Sequence, residues 1–282
     1  MKILRTEEMF DLPFDGEFNV DKEGIPIKRR ITHWFSCFAF FVLGFIAKVA
    51  FRYKVINKRK VTDFKDKRGC IIIANHESYL DAVFAFLGPR PKCCPRIVAR
   101  ETLFEGKPWI ARQIIARAGA FPISRETSDR KSLKRAVKML QRKEMVTIMP
   151  EGTRRGRGTA DLSLHSGFAF IAKMAGDAPI IPCAFRNVGK IKKKGERLHF
   201  PKVEIEYGDP ILLSDFDCFE KKDRLAICSW WAMREVFALR DAIRPEQVDM
   251  KTLFPNDIDY SDVEEVKNLH IHHTTEELLG GC

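Results

Sequence analysis

The sequence predicts an α/β fold, in which a sheet is flanked by helices, from three observations. From about residue 69, short apolar runs alternate with segments whose apolar residues recur at helical spacing. Three of these runs, at residues 70–74, 145–149 and 179–185, are apolar except for Thr147, as is typical of strands buried on both faces. The chain has 282 residues, 45% hydrophobic and 31% charged, so it can bury a sizeable core. This composition excludes collagen-like, low-complexity and wholly disordered chains.

Two segments precede the α/β region and differ in charge. Residues 1–27 form an acidic N-terminal segment, with seven acidic and three basic side chains. Residues 28–60 hold nine basic and no acidic residues, and positions 31–47 carry no formal charge. A bilayer span needs about 20 apolar residues, and basic residues at both ends favour a membrane-associated helix or helical hairpin lying in one leaflet. A helix buried in the core is the alternative.

The remaining elements follow in order along the chain. The strand at 70–74 leads into a helix whose apolar residues recur at i, i+3, i+4 and i+7 from Leu80. Gly88 and Pro89 are expected to end this helix. Further strands are predicted at 96–99, 145–149, 179–185 and 203–207, and further helices at 131–140 and 221–240. We expect a globular domain over 61–215, a C-terminal helix within 216–244 and an acidic, loosely ordered tail over 245–282.

The net charge of +11 is unevenly distributed. Residues 28–241 carry +21, whereas both ends of the chain are acidic. Such a surplus indicates an anionic partner, and nucleic acid, an anionic membrane or a phosphorylated substrate would each satisfy it. The eight cysteines show neither a C-x-x-C pair nor a repeated spacing, which predicts free thiols in a reducing, cytoplasmic interior.

His76 and Asp81 lie where the strand at 70–74 passes into the following helix. Ligands of open α/β sheets bind at the carboxyl ends of strands. On a regular helix, residues five apart point about 140° away from each other, so these side chains can meet only if His76 precedes the helix and Asp81 lies in its first turn. Asp81 would then orient the imidazole and leave its other nitrogen free as a general base. The alternative is an unrelated histidine beside a solvated acid.

A second polar cluster, at residues 149–158, follows the strand at 145–149. Its glycines allow the backbone to approach a ligand closely, and its three arginines offer planar donors that match phosphate oxygens. Glu151 could orient one of these arginines or bind a substrate hydroxyl. A basic surface loop with Glu151 as its counter-ion is the alternative.

Four motifs together resemble those of the glycerolipid acyltransferases, and most nearly the PlsC-like 1-acyl-sn-glycerol-3-phosphate acyltransferases. They are N-H-E-S-Y-L-D at 75–81, G-A-F-P-I-S-R at 119–125, P-E-G-T-R at 150–154 and I-I-P-C at 180–183, in the family's order. The resemblance implies a mixed sheet flanked by helices in a catalytic domain over 61–215, preceded by an N-terminal membrane-associated helical segment. It implies that His76 is the catalytic base and Asp81 its orienting partner. The residues implied for acceptor binding are Arg125, Glu151, Gly152, Thr153 and Arg154, with Arg100 as an additional candidate, and Pro182 is similar to a position that shapes the acyl-donor site.

The reaction implied by this resemblance is the transfer of a fatty acyl group from acyl-CoA or acyl-carrier protein to lysophosphatidic acid, giving phosphatidic acid in phospholipid biosynthesis. This chemistry needs a general base and a positioned acceptor, but no metal and no tightly bound cofactor. We expect an enzyme at the cytoplasmic face of the cell membrane, with membrane lipid as a partner. We expect no nucleic-acid partner, since no nucleic-acid module is recognisable.

Two alternatives to this reaction stay open at the level of sequence. The acceptor could be glycerol 3-phosphate, another lysophospholipid or a lyso-aminolipid. A non-catalytic basic protein that binds membranes or nucleic acid is the alternative of a different class, although it would have no need for His76 and Asp81 beside Glu151 and Arg154. The sequence assigns no oligomeric state.

Overall fold

Seven strands form one mixed sheet within the described part of the chain. The structure is a computed structural model that describes residues 4–14, 30–31, 34–123, 130–155, 162–192 and 195–280. The order of the strands is β1-β7-β6-β2-β5-β3-β4; β6 and β7 run antiparallel, and the other neighbouring pairs run parallel. The predicted α/β fold with a mixed sheet is therefore confirmed. The bounds are β1 (Lys54–Ile56), β2 (Cys70–Ala74), β3 (Arg96–Arg100), β4 (Ala120–Ile123), β5 (Met145–Ile148), β6 (Ile180–Arg186) and β7 (Glu204–Tyr207).

Helices cover both faces of this sheet. The central strand β2 is buried at all five positions, because its alternate side chains enter two different apolar clusters. Ile71 and Ile73 belong to one cluster, and Ile72 belongs to the other. The helices are α1 (Thr6–Met9), α2 (Trp34–Phe51), α3 (Arg59–Thr62), α4 (Asp81–Leu87), α5 (Trp109–Arg117), α6 (Arg130–Gln141), α7 (Gly167–Met174), α8 (Arg224–Asp241), α9 (Met250–Leu253), α10 (Glu264–Lys267) and α11 (Thr275–Gly280).

The apolar helix α2 lies on the outside of the protein. It is 18 residues long, and only 17% of it is buried. Phe41 and Phe45 are 77% and 67% exposed, while Ala47 packs in the cluster that includes α4. Because α2 is one continuous and mostly exposed helix, neither the hairpin nor the core-helix interpretation of this segment is correct. By length and composition α2 could cross a membrane, and its exposed apolar surface favours membrane association.

The sheet begins earlier in the chain than the sequence predicts. β1 lies within the segment 28–60 that was expected to be membrane-associated, and it pairs with β7 from Lys54↔Glu204 to Ile56↔Glu206. The prediction that the globular domain starts at residue 61 is therefore wrong, and within the 28–60 segment the apolar helix is limited to Trp34–Phe51. A three-residue edge strand among basic residues has no apolar run that would reveal it.

The C-terminal segment 245–280 is folded onto the domain, so the prediction of a loose tail is wrong. It contains α9, α10 and α11 and buries Met250, Phe254 and Val266 in the same cluster as α8. The ring of Phe254 lies 5.8 Å from that of Phe237 on α8. These apolar residues are too few and too irregularly spaced in the sequence to show a helical or strand period.

The described part of the acidic N-terminal segment also packs on the domain. Met9, Phe10 and Phe14 are buried. Arg96, at the start of β3, donates hydrogen bonds to the backbone carbonyls of Met9, Phe10 and Leu12. This segment is therefore held by backbone contacts to a buried arginine.

Candidate active site

The candidate site lies at one edge of the sheet, where three neighbouring parallel strands end. β2, β5 and β3 are adjacent in that order. The turn at 75–80 follows β2, the turn at 149–155 follows β5, and Arg100 is the last residue of β3. Because the carboxyl ends of parallel strands meet at one edge, the first and third motifs and Arg100 come together there.

His76 and Asp81 form a direct pair at this edge. His76 lies in the turn before α4, Asp81 is the first residue of α4, and His76 Nδ1 is 2.9 Å from Asp81 Oδ2. The same carboxylate oxygen accepts the backbone N–H groups of Glu77 and Ser78, each at 2.7 Å. Asp81 is fully buried, whereas 21% of the His76 side chain is exposed. The arrangement fixes one imidazole nitrogen and leaves Nε2 as the nitrogen available to a substrate.

Glu151 lies beneath His76 and contacts it through the backbone. Its Oε1 accepts the N–H of His76 at 2.8 Å, and its Oε2 lies 2.5 Å from Nε of Arg155. The carboxylate is fully buried, and this burial raises the pKa of Glu151 to about 7, against the lowering effects of Arg155 and the His76 N–H. Both carboxylate oxygens are thus engaged inside the protein, which places Glu151 among the groups that hold His76 rather than at the exposed mouth.

Arg154 lies at the mouth of the site and stacks on an aromatic ring. Its guanidinium carbon is 3.4 Å from the centroid of Tyr79, a residue that is 63% exposed. Arg100 donates a hydrogen bond to the carbonyl of Gly152 at 3.0 Å. Gly152 has a φ of 59°, a left-handed conformation that favours glycine, so its place in the motif is a backbone requirement.

A second acid and a further arginine flank the pair. Oε1 of Glu77 lies 3.6 Å from Nη1 of Arg240 on α8. Burial raises the pKa of Glu77, an effect that Arg240 opposes and Asp81 reinforces. Asn75, the first residue of the motif, is fully buried. Its side chain exchanges two hydrogen bonds with the backbone of Phe185 on β6. The turn after β2 is therefore anchored before it reaches His76.

The structure brings together most of the residues that the sequence selects. His76, Asp81, Glu151, Gly152 and Arg154 lie at the same edge, together with Arg100. Thr153 lies in the same turn, and its N–H contacts the carbonyl of Glu151 at 2.6 Å. Arg125, which the resemblance assigns to acceptor binding, lies outside the described residues. The roles of all these residues in catalysis or binding stay predictions.

Five residues of this site were not selected from the sequence, namely Asn75, Glu77, Tyr79, Arg155 and Arg240. Asn75 and Tyr79 belong to the first motif, so their position beside His76 was available as a signal. Arg155 is one of three arginines that are indistinguishable in the sequence of the cluster. Arg240 comes from a helix 164 positions after His76, and only the tertiary fold brings it near.

Pro182 lies away from this edge, in the middle of β6. Together with Tyr207, Trp231 and Leu239, it lines a cavity of about 690 Å³ that is bounded by β6, β7, α8 and the C-terminal segment. Its suggested part in the acyl-donor site stays a prediction. Across the described ranges, no group of three or more His, Cys, Asp or Glu side chains is placed to hold a metal ion.

Comparison with known proteins connects the site to one family. Residues 52–186 match the family described as Acyltransferase. A 1-acyl-sn-glycerol-3-phosphate acyltransferase of Bacillus subtilis (strain 168) is 32% identical over 176 residues, which cover 61% of this chain and 80% of the relative. A human 1-acyl-sn-glycerol-3-phosphate acyltransferase beta is 30% identical over 161 residues, which cover 56% of this chain and 55% of that protein.

A solved structure has the same fold. The crystal structure of the 1-acyl-sn-glycerophosphate (LPA) acyltransferase PlsC from Thermotoga maritima superimposes with a TM-score of 0.52. The superposition covers 72% of this chain and 80% of that one, at 20% sequence identity. At this identity the match supports the fold alone.

Proposed function

This enzyme belongs to the family of PlsC-like 1-acyl-sn-glycerol-3-phosphate acyltransferases, and from that premise we propose the reaction it catalyses. It transfers a fatty acyl group from an acyl thioester, carried by CoA or by acyl-carrier protein, to the free hydroxyl of 1-acyl-glycerol 3-phosphate. The products are phosphatidic acid and the free thiol of the carrier. The observation that carries this proposal is the His76–Asp81 pair, with one imidazole nitrogen fixed and the other available.

The chemical step follows from that geometry. Nε2 of His76 takes the proton of the acceptor hydroxyl as its oxygen attacks the thioester carbonyl carbon. The imidazolium that forms is stabilised by the Asp81 carboxylate at Nδ1. The tetrahedral intermediate collapses, the carbon–sulfur bond breaks, and the thiolate takes the proton back from His76. No covalent acyl-enzyme is required.

The phosphate of the acceptor is assigned to the arginines at the mouth of the site. Arg154 presents its guanidinium beside the exposed ring of Tyr79, and planar guanidinium groups match phosphate oxygens in pairs. Arg100 adds a second positive charge next to the same turn. Arg125 keeps its predicted place in this set by resemblance alone.

Membrane association would deliver the lipid substrate. The exposed aromatic side chains of α2 would enter the acyl-chain region, and the basic residues on either side of the helix would contact anionic headgroups. We assign the enzyme to the cytoplasmic face, because the cysteines of the described residues are free thiols.

A panel assay tests the proposal. Detergent-purified protein is incubated with acyl-CoA and acyl-carrier-protein donors against 1-acyl-glycerol 3-phosphate, glycerol 3-phosphate, other lysophospholipids and lyso-aminolipids, and the products are identified by mass. We expect phosphatidic acid as the main product. A preference for another acceptor would replace the assigned substrate, and a lack of thioester consumption with every pair would refute the enzymatic function.

Two variants tie the activity to the site. His76→Ala should abolish acyl transfer, whereas His273→Ala is a matched control, because His273 also pairs with a carboxylate, Asp215 at 2.7 Å, in the C-terminal segment. Arg154→Ala should chiefly raise the KM of the acceptor. Substantial turnover by folded His76→Ala would overturn the mechanism, and an unchanged KM would remove Arg154 from the phosphate site.

A further inference from the structure

Arg155 is enclosed directly behind the candidate active site. Only 12% of its side chain is exposed, and its Nε lies 2.5 Å from Oε2 of Glu151. Its guanidinium carbon lies 4.7 Å from the ring centroids of both Phe237 and Phe254. NH1 donates a hydrogen bond to the carbonyl of Leu253 at 3.1 Å. The side chain is therefore held by an acid, two aromatic rings and a backbone carbonyl.

From these contacts we infer that Arg155 is a positioning residue for His76, and that the C-terminal segment 245–280 takes part in the positioning through Leu253 and Phe254. The inference rests on the proposed function in that His76 is the general base. It assigns no substrate contact to Arg155.

Arg155 is connected with the backbone of His76 by one direct hydrogen bond and by a second route through Glu151. The N–H of Arg155 donates to the carbonyl of His76 at 2.9 Å. The N–H of His76 donates to Oε1 of Glu151 at 2.8 Å, and Oε2 of the same carboxylate pairs with Arg155. Asp81 fixes the His76 side chain, while Glu151 and Arg155 fix its main chain. An imidazole that must meet a hydroxyl proton within hydrogen-bond distance needs both constraints.

The charge of Arg155 matters because Glu151 is buried. Burial raises the pKa of Glu151, and the neighbouring guanidinium opposes that rise. Without Arg155, the buried carboxyl would favour its protonated form, which accepts a hydrogen bond less strongly than a carboxylate. The N–H of His76 would then lose a charged acceptor, and the turn that carries His76 would become less well fixed.

The C-terminal segment supplies two of the four contacts to the Arg155 side chain. Leu253 is the last residue of α9 and Phe254 follows it, and both lie outside the region 52–186 that matches the family. Phe254 is 3% exposed and packs against Phe237. The segment therefore contacts the site through the side chain of Arg155, a residue that nothing in the sequence distinguishes from a surface arginine.

A role in phosphate binding would place Arg155 differently. A guanidinium that binds an acceptor phosphate must be reachable from the open site, and that of Arg154 stacks on the exposed ring of Tyr79. The guanidinium of Arg155 instead lies between two buried rings and beside a buried carboxylate. Kinetics separate the two roles, because a lost positioning contact lowers kcat whereas a lost substrate contact raises KM.

The test compares Arg155→Leu with Arg155→Lys and with Arg135→Leu in the full-length protein. Arg135 is a matched control: its side chain is 6% exposed, pairs with Asp11 at 2.7 Å and lies 5.4 Å from the Phe10 ring, with no contact to His76. Arg155→Leu should lower kcat by about 100-fold with the acceptor KM within about threefold of wild type. Arg155→Lys, which can still pair with Glu151, should recover kcat to within about tenfold of wild type, and Arg135→Leu should retain it.

Residue-resolved hydrogen exchange gives a readout that does not depend on activity. The N–H of His76 is held by Glu151, whereas those of Glu77 and Ser78 are held by Asp81. Arg155→Leu should therefore speed exchange at His76 and leave Glu77 and Ser78 protected. Phe254→Leu, which keeps an apolar side chain but removes the ring, should speed exchange at His76 to a smaller extent.

The outcomes distinguish the inference from the proposed function. A wild-type enzyme inactive towards every acceptor would refute the proposed function, while hydrogen exchange would still test the positioning of His76. Positioning by Arg155 would be overturned by unchanged exchange at His76 in folded Arg155→Leu. It would equally be overturned by a KM effect without a kcat effect, or by a loss of kcat in Arg135→Leu as large as that in Arg155→Leu.

Discussion

Asp81→Asn should lower kcat about 100-fold while leaving the fold intact. Asp81 Oδ2 lies 2.9 Å from His76 Nδ1, and at an effective dielectric constant of about 20 a carboxylate and an imidazolium at this distance attract by about 6 kcal/mol. Solvent reaches the partly exposed His76, so we take about half of this value, ~3 kcal/mol, as the loss in the transition state. Each 1.4 kcal/mol or so corresponds to a factor of about ten in rate. An asparagine oxygen can still accept the backbone N–H groups of Glu77 and Ser78, so the free energy of unfolding should change little.

The assay measures kcat and KM by product mass, with thermal unfolding followed in parallel. Asp215→Asn is the matched control, because Asp215 also pairs with a histidine, His273 at 2.7 Å, and accepts the N–H of Leu212 at 2.8 Å. The control should lose some stability and keep the wild-type kcat. If folded Asp81→Asn kept kcat within about tenfold of wild type, stabilisation of the imidazolium by Asp81 would not contribute to catalysis as we propose.

Two further predictions concern pH and the membrane. Burial raises the pKa of Glu151 from an ordinary 4.5 to about 7, so the folded protein binds the Glu151 proton more tightly than the unfolded chain does. The stability that this proton contributes is complete below pH 4.5 and is lost as the pH rises to about 7. Glu151→Gln has no titrating group at this position, so its free energy of unfolding should rise relative to that of wild type between pH 4.5 and about 7, by up to about 1.4 kcal/mol per pH unit. Denaturant titrations measure this difference, and parallel curves of unfolding free energy against pH for the two proteins would refute the prediction. Replacing both Phe41 and Phe45 by Gln should weaken binding to anionic vesicles by about 3–6 kcal/mol, because each buried phenylalanine contributes about 1.5–3 kcal/mol. Ile258→Gln is the control, since Ile258 is 70% exposed on the C-terminal segment and should not affect vesicle binding; equal losses would exclude α2 as the membrane contact.

The sequence reveals those parts of the fold whose burial is continuous along the chain. β2, β5 and β6 are apolar except for Thr147 in β5 and Arg186 at the end of β6, because helices cover both faces of the sheet. β1 has only three residues at the sheet edge, with the burial pattern of an exposed and two half-buried positions, so no apolar run marks it. The C-terminal segment escapes prediction for a related reason. Its buried residues Met250, Phe254 and Val266 are few and irregularly spaced, and a periodicity argument detects only residues that recur on one face.

In the candidate site, too, contacts between residues close in the sequence could be predicted, whereas contacts between distant residues could not. The contact between His76 and Asp81 spans five residues, so helix geometry alone limits how the two side chains can meet. The contact between His76 and Glu151 spans 75 residues, and it depends on β2 and β5 being neighbours in the sheet. Which arginine pairs with Glu151 depends further on the positions of Phe237 and Phe254, which contact Arg155 and come from distant parts of the chain.

The contacts of the buried arginines also change the interpretation of the uneven charge. The net charge of +21 on residues 28–241 indicates a large anionic partner only if the basic side chains are available to it. Some of them are instead engaged in contacts within the protein. Arg96 and Arg135 hold the N-terminal segment through its backbone carbonyls and Asp11, and Arg155 holds the C-terminal segment through the carbonyl of Leu253. Both ends of the chain thus contact arginines of its centre, and the N-terminal segment does so with the Asp11 carboxylate as well. Net charge therefore overstates the attraction to an external anion, and the assignment of a phosphate site depends on Arg154, whose guanidinium lies at the exposed mouth beside Tyr79.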